Sequence, residues 1–541
     1  MNFEKIKTMD CFNGRLSRLR EEYDSFVKEP LPELTKEAFD CFYETGSRKE
    51  YEVLYFKRRN VLLDAALISF IYGEGIDFLV SVMKEICYEP TWALPAHMDQ
   101  NSPEPEREID LFAAETAHAL SEICYILGDK LPDSIRETVR HELMRRTILP
   151  FEEKTFFWED TDCNWASVCA GSVGITFMYM FPERFKNVEK RFLKTMEAYL
   201  SGFGDDGISP EGLGYWNYGF WYFTGFADLY KQKYGVDIMN TEKIKNIAMC
   251  QQNLFLRKNI IASYSDCGRT EHFNAALAHY YRNKFGSDIR ILSTEIPDGV
   301  DNCYRFLIAV RSLLWIDEKY LGIKEESFPE SYFKDCSWYV NRHKKFAFSA
   351  KGGNNGESHN HNDIGSFIIA DDSGQLLADY GAGEYTRDYF SEKRYEYLCT
   401  SSRGHSVPVI DGIYQHEGIE FRSELLKAGD GIFELNIAKA YAADNLSELI
   451  RRFEITDNSV ILEDKFSFTD NKKHDITERF VSVIKPEIRN GKAVIGNLTL
   501  ECAYTPEIYS EELPSHNTKK NVLYFIDFKS DSHFKIEFKY S

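Results

Sequence analysis

The sequence predicts an α+β, multidomain chain: paired helices packed in an arc or ring, followed by an antiparallel β-sandwich of stacked sheets. Three observations carry this. The 541 residues exceed the size at which one hydrophobic core stops growing, so two or more cored units are expected. From about residue 35 to 325, apolar residues recur at three- and four-residue spacing, the helical period. Near residue 335 that period gives way to short alternating runs rich in β-branched and aromatic residues. Helices first and strands afterwards argue for separately cored units rather than a βαβ fold. Residues 1–335 are therefore assigned to a helical domain and 336–541 to a sheet domain.

In the first half the helical period is clearest over 61–84, 107–127 and 182–199, punctuated by Pro90, Pro95, Pro132, Pro150 and the turn at Gly202, Gly204 and Gly207. No repeat of fixed period is visible, which disfavours a regular solenoid. In the second half the strand candidates are KKFAFSAKGG, GSFIIADDSG, QLLADYG, SVILEDKFSF, ERFVSVI, AVIGNLTLECAYT and NVLYFIDFKS. Turn formers divide them, as at Asp372-Ser373-Gly374 and Asp470-Asn471. Neither a dinucleotide fingerprint nor a P-loop occurs, so no organic cofactor is expected.

Composition narrows the function. Lys plus Arg total 65 against 86 Asp plus Glu, a formal charge of -21, which argues against nucleic acid or an anionic membrane as partner. An anionic substrate would need a local basic pocket. The 15% of aromatic residues suits either a sugar cleft lined by flat rings or ordinary helix packing. The N-terminal MNFEKIKTMDCFNGRLSRLR has no apolar signal core, and no apolar run is long enough to span a bilayer. The 12 Cys lack any C-x-x-C spacing, so reduced thiols in a cytoplasmic protein are expected and no cysteine is nominated for chemistry.

The densest polar stretch runs from Gly352 to Asp363 and contains His359 and His361. Two residues apart, both rings would face one side of an extended strand. Asp379 closes the next strand candidate, and His405 follows in SSRGHSVPVI. Adjacent strands could gather these four, and two imidazoles with a carboxylate form a credible zinc set. The His361-x-Asp363 spacing also allows Asp363 to orient an imidazole from behind. The plainer reading is a polar loop whose histidines bond locally. In the helical half, Glu159–Trp165, Asp205–Gly219 and Asp266–His272 mix polar residues with Trp and Tyr at helix starts, which suits the rim of a sugar-binding cleft or simple helix caps.

Together the SHNHND-IGSF run, ADYGAGEY, RYEYLCTSSRGHSVPV and the DG-x-x-x-EG-x-x-YW-x-Y motif resemble the heparinase II/III-like polysaccharide lyases and their alginate-lyase relatives, from about Trp92 through Gln415 and into the terminal sheets. The resemblance implies an incomplete (α/α) toroid followed by stacked antiparallel sheets. It also implies β-elimination beside a uronic acid in an acidic polysaccharide or oligosaccharide. Matched residue by residue, a structural zinc falls on His361, Asp379 and His405, which releases His359 to the catalytic position. Asn164 matches the group that neutralises the substrate carboxylate, and the catalytic tyrosine falls on Tyr215 or Tyr218, with Tyr215 favoured because it directly follows EGLG. Arg269, His272 and Arg394 are candidates for binding a carboxylate or sulfate, and Trp92, His97, Trp165 and Glu211 for lining the substrate site. With no export signal, exolytic attack on imported oligosaccharides is expected; a homo-oligomer is compatible with the sequence. Two alternatives stand beside the lyase. One is a hydrolase using carboxylates such as Asp162, Asp205, Asp206 and Glu211; the other is a non-catalytic protein that binds acidic oligosaccharides.

Overall fold

The computed structural model describes residues 3–323, 330–513 and 521–541. It divides into two compact units that interleave in sequence: Met1–Gly202, Asn217–Ile244 and Asn274–Lys324 form the first, while Phe203–Trp216, Lys245–Phe273 and Glu325–Ser541 form the second. Where the sequence suggests one boundary at 335/336, two segments of the helical half pack with the sheets instead. Their chemistry explains it: Ile260, Ile261, Tyr264 and Cys267 are buried there, and the short hairpin of Phe255–Arg257 with Ile260–Ile261 lies against the strands Ala347–Lys351 and Phe367–Asp371.

The first unit is built from helix pairs of two kinds. Lys49–Tyr72, Leu111–Leu127 and Asn164–Met180 are buried nearly all round, as expected of inner helices. Ile76–Cys87, Asp133–Leu143 and Pro182–Ser201 bury one face only and act as outer partners to them. The predicted run 61–84 is in fact the end of one such helix and the start of the next, separated by Gly73 and Gly75, both left-handed (φ 72° and 70°). Close helix approach uses small residues: a Cβ at Gly171 would meet the Tyr222 carbonyl at 2.9 Å, and one at Gly174 the Phe226 ring at 2.6 Å. Two buried carboxylates are paired with cationic side chains. Glu89 receives Arg58 and Arg59, and Glu122 receives Arg311 and His118. No helix among the described residues is long and apolar enough to cross a membrane.

Among the described residues, the second unit stacks antiparallel sheets of eight, five and four strands. The five-stranded sheet runs Glu330–Phe333, Trp338–Arg342, Ala347–Lys351, Phe367–Asp371 and Gly374–Leu377 in sequence order. The eight-stranded sheet is centred on Leu446–Ile455, Ser459–Phe468 and His533–Tyr540, and the four-stranded one on Ile476–Ser482 and Asn521–Ser530. Inward-facing residues of all three meet in one core, where Phe367 packs on Phe453 and Phe538 at centroid distances of 5.0 and 5.3 Å and Phe480 on Phe538 at 5.1 Å. Each predicted strand segment contains a strand; AVIGNLTLECAYT supplies two, Lys492–Ile495 and Leu498–Cys502, hinged at Gly496.

At the heart of this unit Arg451, wholly buried, donates to Asp464 and Glu478 and, through Nη1, to the carbonyls of Gly365 (3.0 Å) and Ser406 (2.8 Å). Those two carbonyls belong to the segments that carry His361 and His405. One guanidinium thus ties the sheet core to two loops of the site.

Candidate active site

The polar segment 356–366 is irregular, not an extended strand: His359 itself is left-handed, with φ 55°. Both imidazoles nevertheless converge, because each reaches the same carboxylate. Asp266 Oδ2 accepts from His359 Nδ1 at 2.9 Å, and Oδ1 from His361 Nε2 at 3.0 Å. Arg394 donates to Oδ2 at 2.9 Å, and the Tyr389 hydroxyl to Oδ1. Burial alone would raise the Asp266 carboxyl, but the hydrogen bonds from His359 and His361 and the charge of Arg394 outweigh it and hold the group far below the usual carboxylate range. The loop bearing Asp266 is fixed by its own backbone, with Ser265 left-handed (φ 64°) and its hydroxyl on the Pro210 carbonyl. It is also bonded to the segment after Leu377, through Ser263 Oγ to the Asp379 carbonyl and Ala382 N to the Cys267 carbonyl. Gly381 permits that second contact. Its φ is +75°, and a Cβ there would stand 1.9 Å from the Cys267 carbonyl oxygen.

His361, Asp379 and His405 are completely buried, and one potential ligand atom from each lies within 4.8 Å of the others. Each residue is braced from the opposite side: His361 by Asp266, His405 Nε2 by the Cys399 carbonyl at 2.9 Å, and Asp379 Oδ1 by the Gly381 amide at 2.9 Å. The atoms left over, His361 Nδ1, Asp379 Oδ2 and His405 Nδ1, are buried without hydrogen-bond partners. His405 Nδ1 and Asp379 Oδ2 stand 3.2 Å apart without the alignment of a hydrogen bond. Two ligands bound at ~2.0–2.1 Å to a tetrahedral zinc would be separated by about 3.3 Å. The three residues therefore fit a divalent ion. The orientation of His361 corrects one expectation: Asp363 does not stand behind it but is paired with Lys351, and Asp266 takes that place.

The His359 side chain is 19% exposed. The Tyr215 ring stacks on it at 3.9 Å and 21°, and the Tyr215 hydroxyl bonds that of Tyr385 at 2.9 Å. Burial, with the negative charges of Asp266 and Glu211, raises the Tyr215 phenol well above its ordinary range, so it holds its proton. Glu211 stands 3.8 Å from His359 Nε2. Of the expected anion-binding residues, Arg394 has its guanidinium engaged by Asp266 and by the Asn360 and Tyr389 carbonyls, so it organises this cluster. Arg269 lies over the Tyr380 ring at 5.8 Å, and His272 is exposed at the edge of its loop. Asp206 caps its own turn, accepting from the Ile208 and Asp335 amides.

The remaining candidates belong to the first unit. Asn164 opens the helix Asn164–Met180, 2% exposed, with its Oδ1 unpartnered. Tyr218 donates to Glu115 beneath the Arg305 guanidinium, which lies 3.9 Å from its ring centroid; burial pushes Glu115 up to about 7 against the pull of Arg305 and Tyr218. His97 bonds Asp110 at 2.8 Å through Nδ1 and packs between Phe112 and the edge of Trp165. Trp92 corrects its assignment as a lining ring. It is 2% exposed and its indole N–H donates to the Ile86 carbonyl, so it is core. Sequence reading missed Asp266, Tyr385 and Tyr389 as members of the cluster. Asp266 was visible only as the first polar residue of Asp266–His272, and nothing in that spacing ties it to histidines about 95 residues onward.

Residues 326–517 match the family model described as Heparinase II/III-like, C-terminal. This part of the chain is similar to the C-terminal domain of heparinase II/III-like proteins, the family its motifs resemble. No curated protein sequence matches the chain. Among solved structures it is similar to a heparinase III (14% identity, 91% of this chain and 77% of that one, TM-score 0.63). It is also similar to a heparan sulfate lyase of Pedobacter heparinus (11%, 97% and 88%, TM-score 0.57) and to a chondroitin AC lyase of Streptomyces coelicolor A3 solved with chondroitin sulphate (10%, 98% and 79%, TM-score 0.54). At these identities the likeness speaks for the fold: an incomplete (α/α) toroid followed by a β-sandwich of stacked sheets.

Proposed function

We propose that the protein is a polysaccharide lyase that cleaves a uronic-acid-containing acidic glycan by β-elimination. The observation that carries this reading is the stacking of Tyr215 on His359, a histidine within the stretch similar to heparinase II/III-like domains: the imidazole is tied at Nδ1 to Asp266, and its Nε2 stands 3.8 Å from Glu211. In the reaction a base takes the proton from C5 of the uronate and the C4–O bond breaks. The departing glycosidic oxygen gains a proton, and a C4=C5 double bond remains. His359 Nε2 serves as the base and the protonated Tyr215 phenol as the acid, a division that a substrate of the opposite stereochemistry would reverse. Of the two tyrosines Tyr215 is the better match, since Tyr218 is bound to Glu115. Asn164 is assigned to the uronate carboxylate, whose charge resists loss of the C5 proton until an amide donor offsets it.

His361, Asp379 and His405 would hold zinc, and its contribution is to crosslink three loops so that the His359 segment stays in place, not to activate water. Exolytic action on short oligosaccharides completes the proposal. The test is a panel of heparin-like, chondroitin-like and alginate-like uronate oligosaccharides, followed by ultraviolet absorbance of the unsaturated product and by mass analysis. Products whose masses sum to that of the substrate, with rising absorbance, are expected. Products carrying an added water, with flat absorbance, would show a hydrolase; saturable binding without products would show a sugar-binding protein.

A further inference from the structure

The Asp266 carboxylate is fully buried and meets four donors: two imidazole nitrogens, a guanidinium and a phenol. An ionised carboxylate only accepts hydrogen bonds, so each ring nitrogen facing it carries the hydrogen. A neutral imidazole has one protonated nitrogen, and the other then bears the lone pair. For His361 the lone pair falls on Nδ1, the atom left without a partner beside Asp379 and His405. For His359 it falls on Nε2, at the edge turned away from Asp266. The two histidines therefore present opposite nitrogens for opposite tasks.

We propose that Asp266 is a positioning residue that sets both tautomers at once, making His361 a metal ligand through Nδ1 and His359 a proton acceptor through Nε2. The His359 half rests on the lyase reading; the His361 half does not. Arg394 and Tyr389 complete the arrangement by filling the remaining acceptor sites of the carboxylate, which keeps it from turning toward either ring alone. Backbone strain supports a fixed purpose. Ser265, beside Asp266, and His359 are both left-handed non-glycine residues, a conformation costing ~1 kcal/mol or more each that persists where surrounding contacts enforce it. A single carboxylate thus couples the occupancy of the metal site to the orientation of the imidazole two residues away.

The decisive variant is Asp266→Asn in the full chain. An amide offers one acceptor oxygen and one donor group, so at least one ring would face an N–H and must change tautomer or turn. Zinc per chain after dialysis against graded chelator, the melting temperature, and kcat and KM separately are the readouts. Zinc affinity is expected to fall by about 10–100-fold, with kcat falling and KM holding. An Asp266→Asn protein that keeps zinc as tightly as wild type overturns the proposal. Should that variant not fold, imidazole ¹⁵N spectra of the zinc-loaded wild-type protein decide the question. His359 is expected as the Nδ1–H and His361 as the Nε2–H tautomer, and the reverse assignment overturns it. Neither zinc retention nor tautomer requires turnover. Loss of zinc in Asp266→Asn, with no uronate glycan cleaved by the wild-type protein, would therefore sink the lyase reading alone, while cleavage by wild type with zinc affinity undiminished in Asp266→Asn would sink only this one.

Discussion

Replacing Arg451 with Met tests how far the sheet core governs the site. Arg451, Asp464 and Glu478 are wholly buried, and Arg451 faces Asp464 across neighbouring strands. Burial and the repulsion of Asp464 push the Glu478 carboxyl up, and the shorter contact of Arg451 is with Asp464, at 2.6 Å against 3.1 Å to Glu478. Methionine fills a similar volume but leaves the buried Asp464 without a countercharge. Breaking a buried pair from one side costs about 3–5 kcal/mol. For a unit of this size that corresponds to a fall in melting temperature of ~10 °C. The carbonyls of Gly365 and Ser406 lose their donor as well, so zinc should leave Arg451→Met faster than wild type. Calorimetry at neutral pH measures the first effect and chelator-challenged zinc content the second. Adding Asp464→Asn removes the stranded charge and should restore much of the lost stability, because the penalty lies in that charge and not in the missing contact. A single variant melting within ~2 °C of wild type, where about 10 °C is expected, or a double variant no more stable than the single one, would refute the reasoning.

Three further outcomes are expected. Tyr215→Phe keeps the ring stacked on His359 and loses one hydrogen bond, so its stability should change by only about 1 kcal/mol, whereas kcat should drop by ~10²–10⁴-fold; normal turnover would remove Tyr215 from the chemistry. His361→Ala should lose zinc and activity together and melt earlier, and a folded, zinc-free His361→Ala protein with normal turnover would show the metal site to be dispensable. In the helical unit, burial opposes ionisation of Glu122, but Arg311 and His118 bring it down from 4.5 to about 2. A depressed folded value stabilises above the unfolded pKa and is lost as pH falls through the folded one. The stability difference between wild type and Glu122→Gln, up to ~3 kcal/mol, should therefore shrink between those two pH values and stay constant above them; a difference that grows on acidification would reverse the assignment.

Much of the site could be read from the sequence because its members sit in short, polar, motif-like segments. His359 and His361 fall within four residues of each other and of Asp363, and Asp379 lies two residues after an apolar strand. His405 joins them only when SSRGHSVPV is set beside a family pattern. What stayed hidden were partners that act through space. Asp266 lies in a segment whose spacing reads as a cap, and Tyr385 and Tyr389 read as ordinary aromatics in a loop. The expectation of one strand carrying both histidines was reasonable from a two-residue spacing, but the left-handed His359 breaks it.

The sequence by itself determined the order of helices and strands, the buried faces and the residues capable of holding a cation, because periodicity and side-chain chemistry are local properties. Only the tertiary structure decided that 203–216 and 245–273 pack with the sheets, that Asp266 rather than Asp363 stands behind His361, and that Tyr215 rather than Tyr218 lies on His359. These depend on which of many carboxylates and rings meet after the chain closes on itself. A buried carboxylate can satisfy two imidazoles of a distant loop only when that loop and its own are pinned at fixed separation, here by Arg451, by the Gly381 turn and by the backbone of Ser265. No local pattern encodes that separation.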